Sequence, residues 1–197
     1  MKVIAFVAAL LPLMRLVVLG VTDELGANPI EVITRSTGTW TMVMLWIALG
    51  ITPVRHLTGW HWLVDLRRMA GLFAAFYGTL HLTTYVWFDQ FFDVPAMWHD
   101  ILKRPFITVG VAAFLLLIPL AITSTDRWQQ RMGTRNWLRL HRLAYACAIL
   151  AALHFVWLVK RDTREALVYA GILGLLLALR LPIVLRRRHR RVPVRRQ

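Results

Sequence analysis

Three histidines stand in segments that are otherwise apolar, and they are the side chains best able to do chemistry. His81, His141 and His154 lie in or at the ends of hydrophobic segments. An ionisable side chain is costly at membrane depth, and one that occurs there generally holds a cofactor, relays protons or lines a pathway. The other four histidines lie in polar segments or a basic tail, where we expect solvated side chains: His56, His61, His99 and His189.

The elements that must position these histidines are six apolar segments, each near the length of about 20 residues that a membrane-spanning helix needs. Hydrophobic residues make up 58% of the 197 residues, and the mean hydropathy is +0.55. Only helices and closed barrels satisfy their backbone polar groups in lipid, and these segments are too long for barrel strands. We therefore predict an all-α, six-helix integral membrane bundle that forms a single domain over residues 1–197. The predicted spans are 3–21, 37–53, 69–88, 105–122, 140–159 and 165–185.

The charge distribution predicts an orientation in the membrane. The net charge is +14, and basic residues are densest in the tail 186–197. Because Lys and Arg stay on the cytoplasmic side, the tail and, with six spans, the N-terminus are predicted to be cytoplasmic. The segments 54–68 and 123–139 then face the cytoplasm, whereas 22–36 and 89–104 face outward, toward a partner. The basic turn after the fifth span does not fit this pattern. A nucleic-acid or lipid-headgroup role for the tail is the less favoured alternative.

The spacing of the candidate residues indicates two depths in the membrane. His154 follows His141 by 13 residues, and His81 follows Arg68 by 13 residues, which is about 20 Å along a helix. Helices three and five run in the same direction, so His81 and His154 are predicted at one depth near the outer face, with Arg68 and His141 toward the cytoplasm. Two imidazoles at one depth on neighbouring helices suit a six-coordinate haem iron. Thirteen residues also leave His141 and His154 about 140° apart on an ideal helix, so both face one column only if the helix is irregular.

The rest of the sequence excludes several kinds of redox protein. Cys147 is the only cysteine, so the chain alone cannot form a disulfide, an iron–sulfur cluster or a cysteine zinc site. No motif for covalent haem attachment is present. A glycine-rich dinucleotide fingerprint is missing too. Electrons are therefore expected to come from another protein, a bound flavin or a quinol.

Three stretches resemble the haem-binding membrane subunit of bacterial methionine sulfoxide reductase systems, which belongs with the ferric reductase and NADPH oxidase membrane domains. The stretches are Arg67 to Leu72 continuing to His81, Lys103 to Gly110 with its Lys-Arg-Pro opening, and Leu140 to Tyr145 continuing to His154 and Trp157. They fall in the expected order, and the resemblance runs over nearly the whole chain.

The resemblance implies a haem b electron-transfer subunit in the bacterial inner membrane. His81, His154 and His141 would supply ligands to haem iron, for one haem or two. The implied partner is a periplasmic, molybdopterin-containing enzyme that reduces oxidised methionines in proteins. The implied electron donor is a cytoplasmic flavin reductase or quinol.

The sequence departs from the wider family at Arg68, which stands where a fourth haem-ligating histidine would be. The inner site could hold a second haem with His141 and another ligand. It could equally hold FMN or a quinone, with Arg68 meeting an anionic group. Arg15, in the first span, is a candidate partner for a haem propionate, whereas Arg180 is expected to reach the cytoplasmic interface by snorkelling.

Two other classes of function stay open at this point. One is a stand-alone transmembrane ferric or quinone reductase. The other is a non-redox membrane protein whose histidines relay protons or bind a metal.

Overall fold

The computed structural model describes residues 1–159 and 162–189, and within this part the chain forms eight α-helices and no strand. This confirms the predicted all-α class. A 3-10 turn at His61–Leu63 precedes the third helix, and a π-helical turn at Tyr85–Asp89 follows it. The basic tail beyond residue 189 lies outside the described residues. The helices are α1 (Lys2–Val21), α2 (Pro29–Thr58), α3 (Val64–Thr84), α4 (Val94–Lys103), α5 (Pro105–Ile122), α6 (Asp126–Leu140), α7 (Leu143–Leu158) and α8 (Arg164–His189).

Each of the six predicted spans lies largely within helical structure. By length and apolar composition, α1, α2 and α5 could each cross a membrane. The pair α6 and α7, bent by 42°, would be a fourth crossing if it acts as one unit. The third and sixth predicted spans lie in α3 and α8, and neither helix meets the same criterion of length and apolar composition over its described residues. Six crossings therefore stay a prediction.

Two helices occupy segments that the sequence reading treated as polar connections. Both begin at a capping side chain, the usual device for satisfying the first amides of a helix. Asp93 Oδ1 accepts from the amide of Ala96 at 3.0 Å to start α4, and Thr125 Oγ1 accepts from the amide of Trp128 at 3.3 Å to start α6. Neither helix carries a long apolar run, so hydropathy alone passed over them.

The core is built from two long helix pairs. The most extensive helix–helix contacts join α2 to α3 and α5 to α7. Small residues at the centre, Ala74 and Ala148, have no exposed surface and let the backbones approach closely. Hydrogen bonds join the flanking helices α1 and α8 to these pairs. Tyr77 Oη donates to the carbonyl of Ala9 at 2.7 Å, and Trp46 Nε1 donates to the carbonyl of Tyr169 at 3.0 Å.

The expectation that Arg180 snorkels is wrong. The side chain is 4% exposed and lies between α2, α7 and α8. Its guanidinium donates to the hydroxyl of Tyr145 at 2.8 Å and to that of Thr52 at 2.6 Å, and it lies over the Tyr145 ring. Because a buried guanidinium must keep its hydrogen bonds, these internal hydroxyls take the place of the water that snorkelling would have supplied.

Candidate functional site

The structure brings His81 and His154 close together. Their ring centroids are 6.1 Å apart, and the ring planes are inclined at 76°. His81 comes from α3 and His154 from α7, the two helices whose depths the spacing had matched. Two metal–imidazole bonds of about 2 Å each account for most of this separation, with the half-widths of the rings supplying the rest. The arrangement fits two imidazoles that share one metal.

Backbone carbonyls fix both rings in one tautomer. Nδ1 of His81 donates to the carbonyl of Thr34 at 2.9 Å, and Nδ1 of His154 donates to that of Phe106 at 2.6 Å. A carbonyl can only accept, so the proton of each neutral ring must lie on Nδ1. The lone pair is left on Nε2, the atom that can bind a metal, and a donor bond from the other nitrogen is the usual second-shell support of a ligating histidine.

A glycine makes room for each ring. A β-carbon at Gly38 would lie 3.0 Å from Cε1 of His81, and one at Gly110 would lie 2.7 Å from Nδ1 of His154. These separations are shorter than ordinary van der Waals contacts, so a larger residue would displace the imidazole. The helices α2 and α5 therefore accept the two histidines only because these positions lack a side chain.

The two half-sites repeat one backbone device. Thr34 lies four residues before Gly38, and Phe106 lies four residues before Gly110. In an α-helix the carbonyl of residue i also accepts the amide of residue i+4, and a carbonyl oxygen has two lone pairs. The glycine thus uncovers the very carbonyl to which the histidine donates.

Sequence reasoning missed both glycines. It assigned no role to either position, although both differ from a glycine such as Gly71, whose β-carbon would meet nothing within 4 Å. The sequence nevertheless contained a signal for these two glycines. An isolated glycine in an apolar helix costs about 1 kcal/mol relative to alanine, so Gly38 and Gly110 each required a packing reason.

His141 lies apart from this pair, at the break between α6 and α7. Its ring centroid is 3.8 Å from that of Trp137. Its Nδ1 is buried and, within the described part of the chain, has no hydrogen-bond partner. The break supplies the helix irregularity that the 13-residue spacing required before His141 and His154 could face one column.

Arg68 is engaged at the end of α3. It pairs with Asp126 of α6 at 2.5 Å. It also lines a groove of about 460 Å³ with Lys2, Val64, Asp65, Met69 and Leu72. The hydrogen bond from Arg68 holds the pKa of the Asp126 carboxyl below its ordinary value. The predicted inner site thus has a cation beside an open groove.

Arg15 lines a separate groove between α1 and α2. Ser36 and Trp40 contribute from α2, and the other lining residues are apolar side chains of α1. Neither His81 nor His154 lines this groove, so the structure does not bring Arg15 into direct contact with the two imidazoles.

The Arg68–Asp126 pair predicts a pH-dependent link between α3 and α6. The carboxyl's pKa is lowered on folding from 3.8, so the link contributes stability above that pH and loses it as the pH falls through the lower, folded-state pKa. Asp126→Asn should therefore lower the melting temperature of the detergent-purified protein slightly at pH 7, and this effect should shrink as the pH falls below 3.8. The exposed Glu24→Gln variant is the control. An Asp126→Asn effect that persists unchanged to pH 3 would contradict the pairing.

Comparison with known proteins places the chain in a family. Residues 35–152 match the model described as "Ferric reductase like transmembrane component". A protein of Herminiimonas arsenicoxydans is 54% identical over 91% of this chain and 83% of its own length. One of Rhodospirillum rubrum is 52% identical over 98% and 93%, and one of Bordetella pertussis is 51% identical over 95% and 91%. All three are named "Protein-methionine-sulfoxide reductase heme-binding subunit MsrQ". The chain belongs to the MsrQ family, within the ferric reductase-like transmembrane components.

Proposed function

We propose that this chain is a haem b membrane subunit that carries electrons across the bacterial inner membrane to a periplasmic methionine sulfoxide reductase. The observation that carries the proposal is the pair His81 and His154, in which each Nδ1 donates to a carbonyl and neither Nε2 has a hydrogen bond within the described residues. A haem bound there would supply one-electron oxidation and reduction of its iron.

The residues of the chain hold and tune this site. The carbonyls of Thr34 and Phe106 orient the rings and raise the basicity of Nε2. Gly38 and Gly110 let α2 and α5 close over the rings. An apolar environment lowers the local dielectric and keeps water away, which is one of the means by which a protein sets a haem potential. The imidazoles are rigid, so electron transfer needs little rearrangement of the protein.

Electrons would enter at the cytoplasmic end. Two arrangements suit the residues there. One is a second haem with His141 as a ligand, since its Nδ1 is buried without a partner in the described part of the chain. The other is FMN or a quinone in the groove beside Arg68, whose guanidinium would meet an anionic oxygen. The donor would be a cytoplasmic flavin reductase or a quinol.

Arg15 keeps its proposed role as partner of a haem propionate. The groove that it lines shares α2 with the histidine site, since Ser36 and Trp40 lie on the helix that carries Thr34 and Gly38.

The proposed partner is a molybdopterin-containing enzyme at the periplasmic face. Reduction of one methionine sulfoxide to the thioether consumes two electrons and two protons and releases water, so the subunit would turn over twice for each repaired side chain. The names of the relatives support a reductase partner. The position of the histidine pair, near the end of α3 that is predicted to face outward, supports delivery on that side.

Replacing each histidine in turn tests the haem assignment. We expect the wild-type protein in detergent to give a low-spin b-type spectrum after dithionite reduction. His81→Ala and His154→Ala should lose that signal, because each removes one of the two ligands. His141→Ala should retain it if the inner site holds FMN or a quinone, and should lose about half of the haem if a second haem is ligated there. The His99→Ala variant is the control, and a wild-type protein without haem would refute the proposal.

Substitution of Gly38 and Gly110, the two glycines that make room for the histidine rings, gives a sharper test than ligand removal. Gly110→Ala should reduce haem content and shift the spectrum, because the added methyl group would lie 2.7 Å from Nδ1 of His154. Gly38→Ala should have a smaller effect of the same kind, since the corresponding contact is 3.0 Å. Gly71→Ala is the matched control, with nothing within 4 Å of its added carbon; it should keep full haem and gain up to about 1 kcal/mol of helix stability. Equal haem content in all three variants would contradict the role of Gly38 and Gly110 in making room for the rings.

Fusion reporters test the proposed orientation. Alkaline phosphatase fused after Gln197 should be inactive, because the C-terminus is proposed to be cytoplasmic. The same enzyme inserted in the segment 22–28 should be active. The opposite result would place the histidine pair on the cytoplasmic side and would exclude direct delivery to a periplasmic partner.

A further inference from the structure

Helix α4 carries an apolar stripe that nothing in the described chain covers. Val94, Trp98 and Leu102 are 65%, 63% and 68% exposed. Their spacing of four residues places them along one face of the helix. A stripe of this size on a helix of 10 residues is far more than the scattered apolar exposure of an ordinary protein surface.

Asp100, on the other side of α4 from the stripe, is turned into the protein, whereas His99 and Lys103 are exposed. Asp100 is only 8% exposed. It accepts from Nε2 of Gln90 at 3.0 Å and forms an ion pair with Arg104 at 3.2 Å. A helix bathed in water shows the reverse arrangement, with its apolar face inward. Helix α4 instead exposes its apolar stripe and buries Asp100, which indicates that the stripe meets lipid.

The turn before α4 extends the same surface. Trp87, Phe91 and Phe92 are 55%, 78% and 61% exposed. Phe91 and Phe92 have positive φ angles of 47° and 62°, which aromatic residues rarely adopt. The ring of Phe92 lies against that of Trp87, with centroids 5.9 Å apart. Aromatic side chains of this kind are enriched at the membrane–water interface.

The chain on both sides of α4 fixes its level. The π-helical turn at the end of α3 precedes it closely, and α5, which is apolar enough to cross a membrane, begins at Pro105 directly after Arg104. A helix of 10 residues is about 15 Å long and joins the ends of two helices that reach the same boundary. The end of α3 and the start of α5 also carry His81 and the carbonyl that holds His154, so this boundary is on the histidine side of the bundle.

We propose that α4 is an interfacial anchor that lies flat in the bilayer surface on the histidine side, with Val94, Trp98 and Leu102 inserted among the lipids. Such helices bury their apolar face at the boundary between headgroups and acyl chains. Lys103, at the end of α4, is exposed beside the stripe and can contact anionic headgroups. The occupant of this surface is lipid rather than a partner protein.

The anchor is joined to the first turn of α5. Arg104 pairs with Asp100, and the hydroxyl of Thr108 donates to the carbonyl of Ile101. Between these two links lies Phe106, whose carbonyl orients His154. The depth of α4 in the interface therefore sets the position of one half of the histidine site. The anchor itself does not depend on the proposed haem.

Spin labelling of the full chain in phospholipid nanodiscs tests the anchor. Nitroxide labels would be placed at Val94→Cys, Trp98→Cys and Leu102→Cys, with Glu24→Cys in the exposed segment after α1 as the control. The native Cys147 is 2% exposed and should stay unlabelled. We expect the three stripe labels to relax with dissolved oxygen several-fold more than with a water-soluble nickel chelate, and the Glu24 label to show the reverse. Stripe labels that respond to nickel as the Glu24 label does would overturn the proposal, because they would show that the stripe faces water.

A second measurement needs no label and guards against misfolded cysteine variants. Brominated phospholipids quench tryptophan fluorescence on contact. Trp98→Phe should reduce the quenched fraction relative to the wild type, because the exposed Trp98 ring supplies part of it. An unchanged quenched fraction in a folded Trp98→Phe protein would contradict insertion of the stripe.

Discussion

An imidazole inside an apolar bundle has two ring nitrogens that cannot form hydrogen bonds with water. The arrangement of the central helices follows from this constraint. The carbonyls of Thr34 and Phe106 satisfy one nitrogen of each ring, because each accepts a hydrogen bond from Nδ1 of a histidine. Those carbonyls belong to regular helices, where each is normally covered by the residue four positions later. Placing glycine at that position lets a second donor reach the oxygen. The helices α2 and α5 can then lie closely against α3 and α7, and the two most extensive helix pairs of the molecule result.

The second nitrogen of each ring, Nε2, gives the site its chemistry. With both Nδ1 atoms engaged, the two Nε2 atoms are the remaining lone pairs, and they belong to rings whose centroids are 6.1 Å apart. An unprotonated nitrogen without a hydrogen bond in an apolar setting costs free energy, about 1–3 kcal/mol, and a metal shared by the two rings, as proposed, would offset this cost. Farther along α7, the break at His141 and the pairing of Arg68 with Asp126 produce an end of different character. That end is partly open and cationic, which suits electron entry by either of the two arrangements proposed for it.

The sequence was sufficient for the helical class, for the matched depth of His81 and His154 and for the family. Hydropathy and residue spacing act along one chain segment at a time, and these features depend on little else. The glycines escaped notice because their role involves an imidazole from another helix, about 45 residues away in the chain for both Gly38 and Gly110. Helices α4 and α6 were missed because a short helix with half of its surface polar has no strong hydropathy signal. Arg180 was misjudged because its distance from the helix end was known, whereas the hydroxyls of Tyr145 and Thr52 were not.

The repeated carbonyl–glycine device also bears on the order in which the protein is made. The helices α2 and α3 are consecutive, so the Thr34–His81 half-site can form as soon as the first three helices have entered the membrane. The second half-site joins α5 to α7 and cannot form until the ribosome has completed residue 158. During that interval the nascent chain holds one finished imidazole with a free Nε2 and no partner. Loading of the proposed cofactor, which needs both rings, would thus be confined to the end of synthesis.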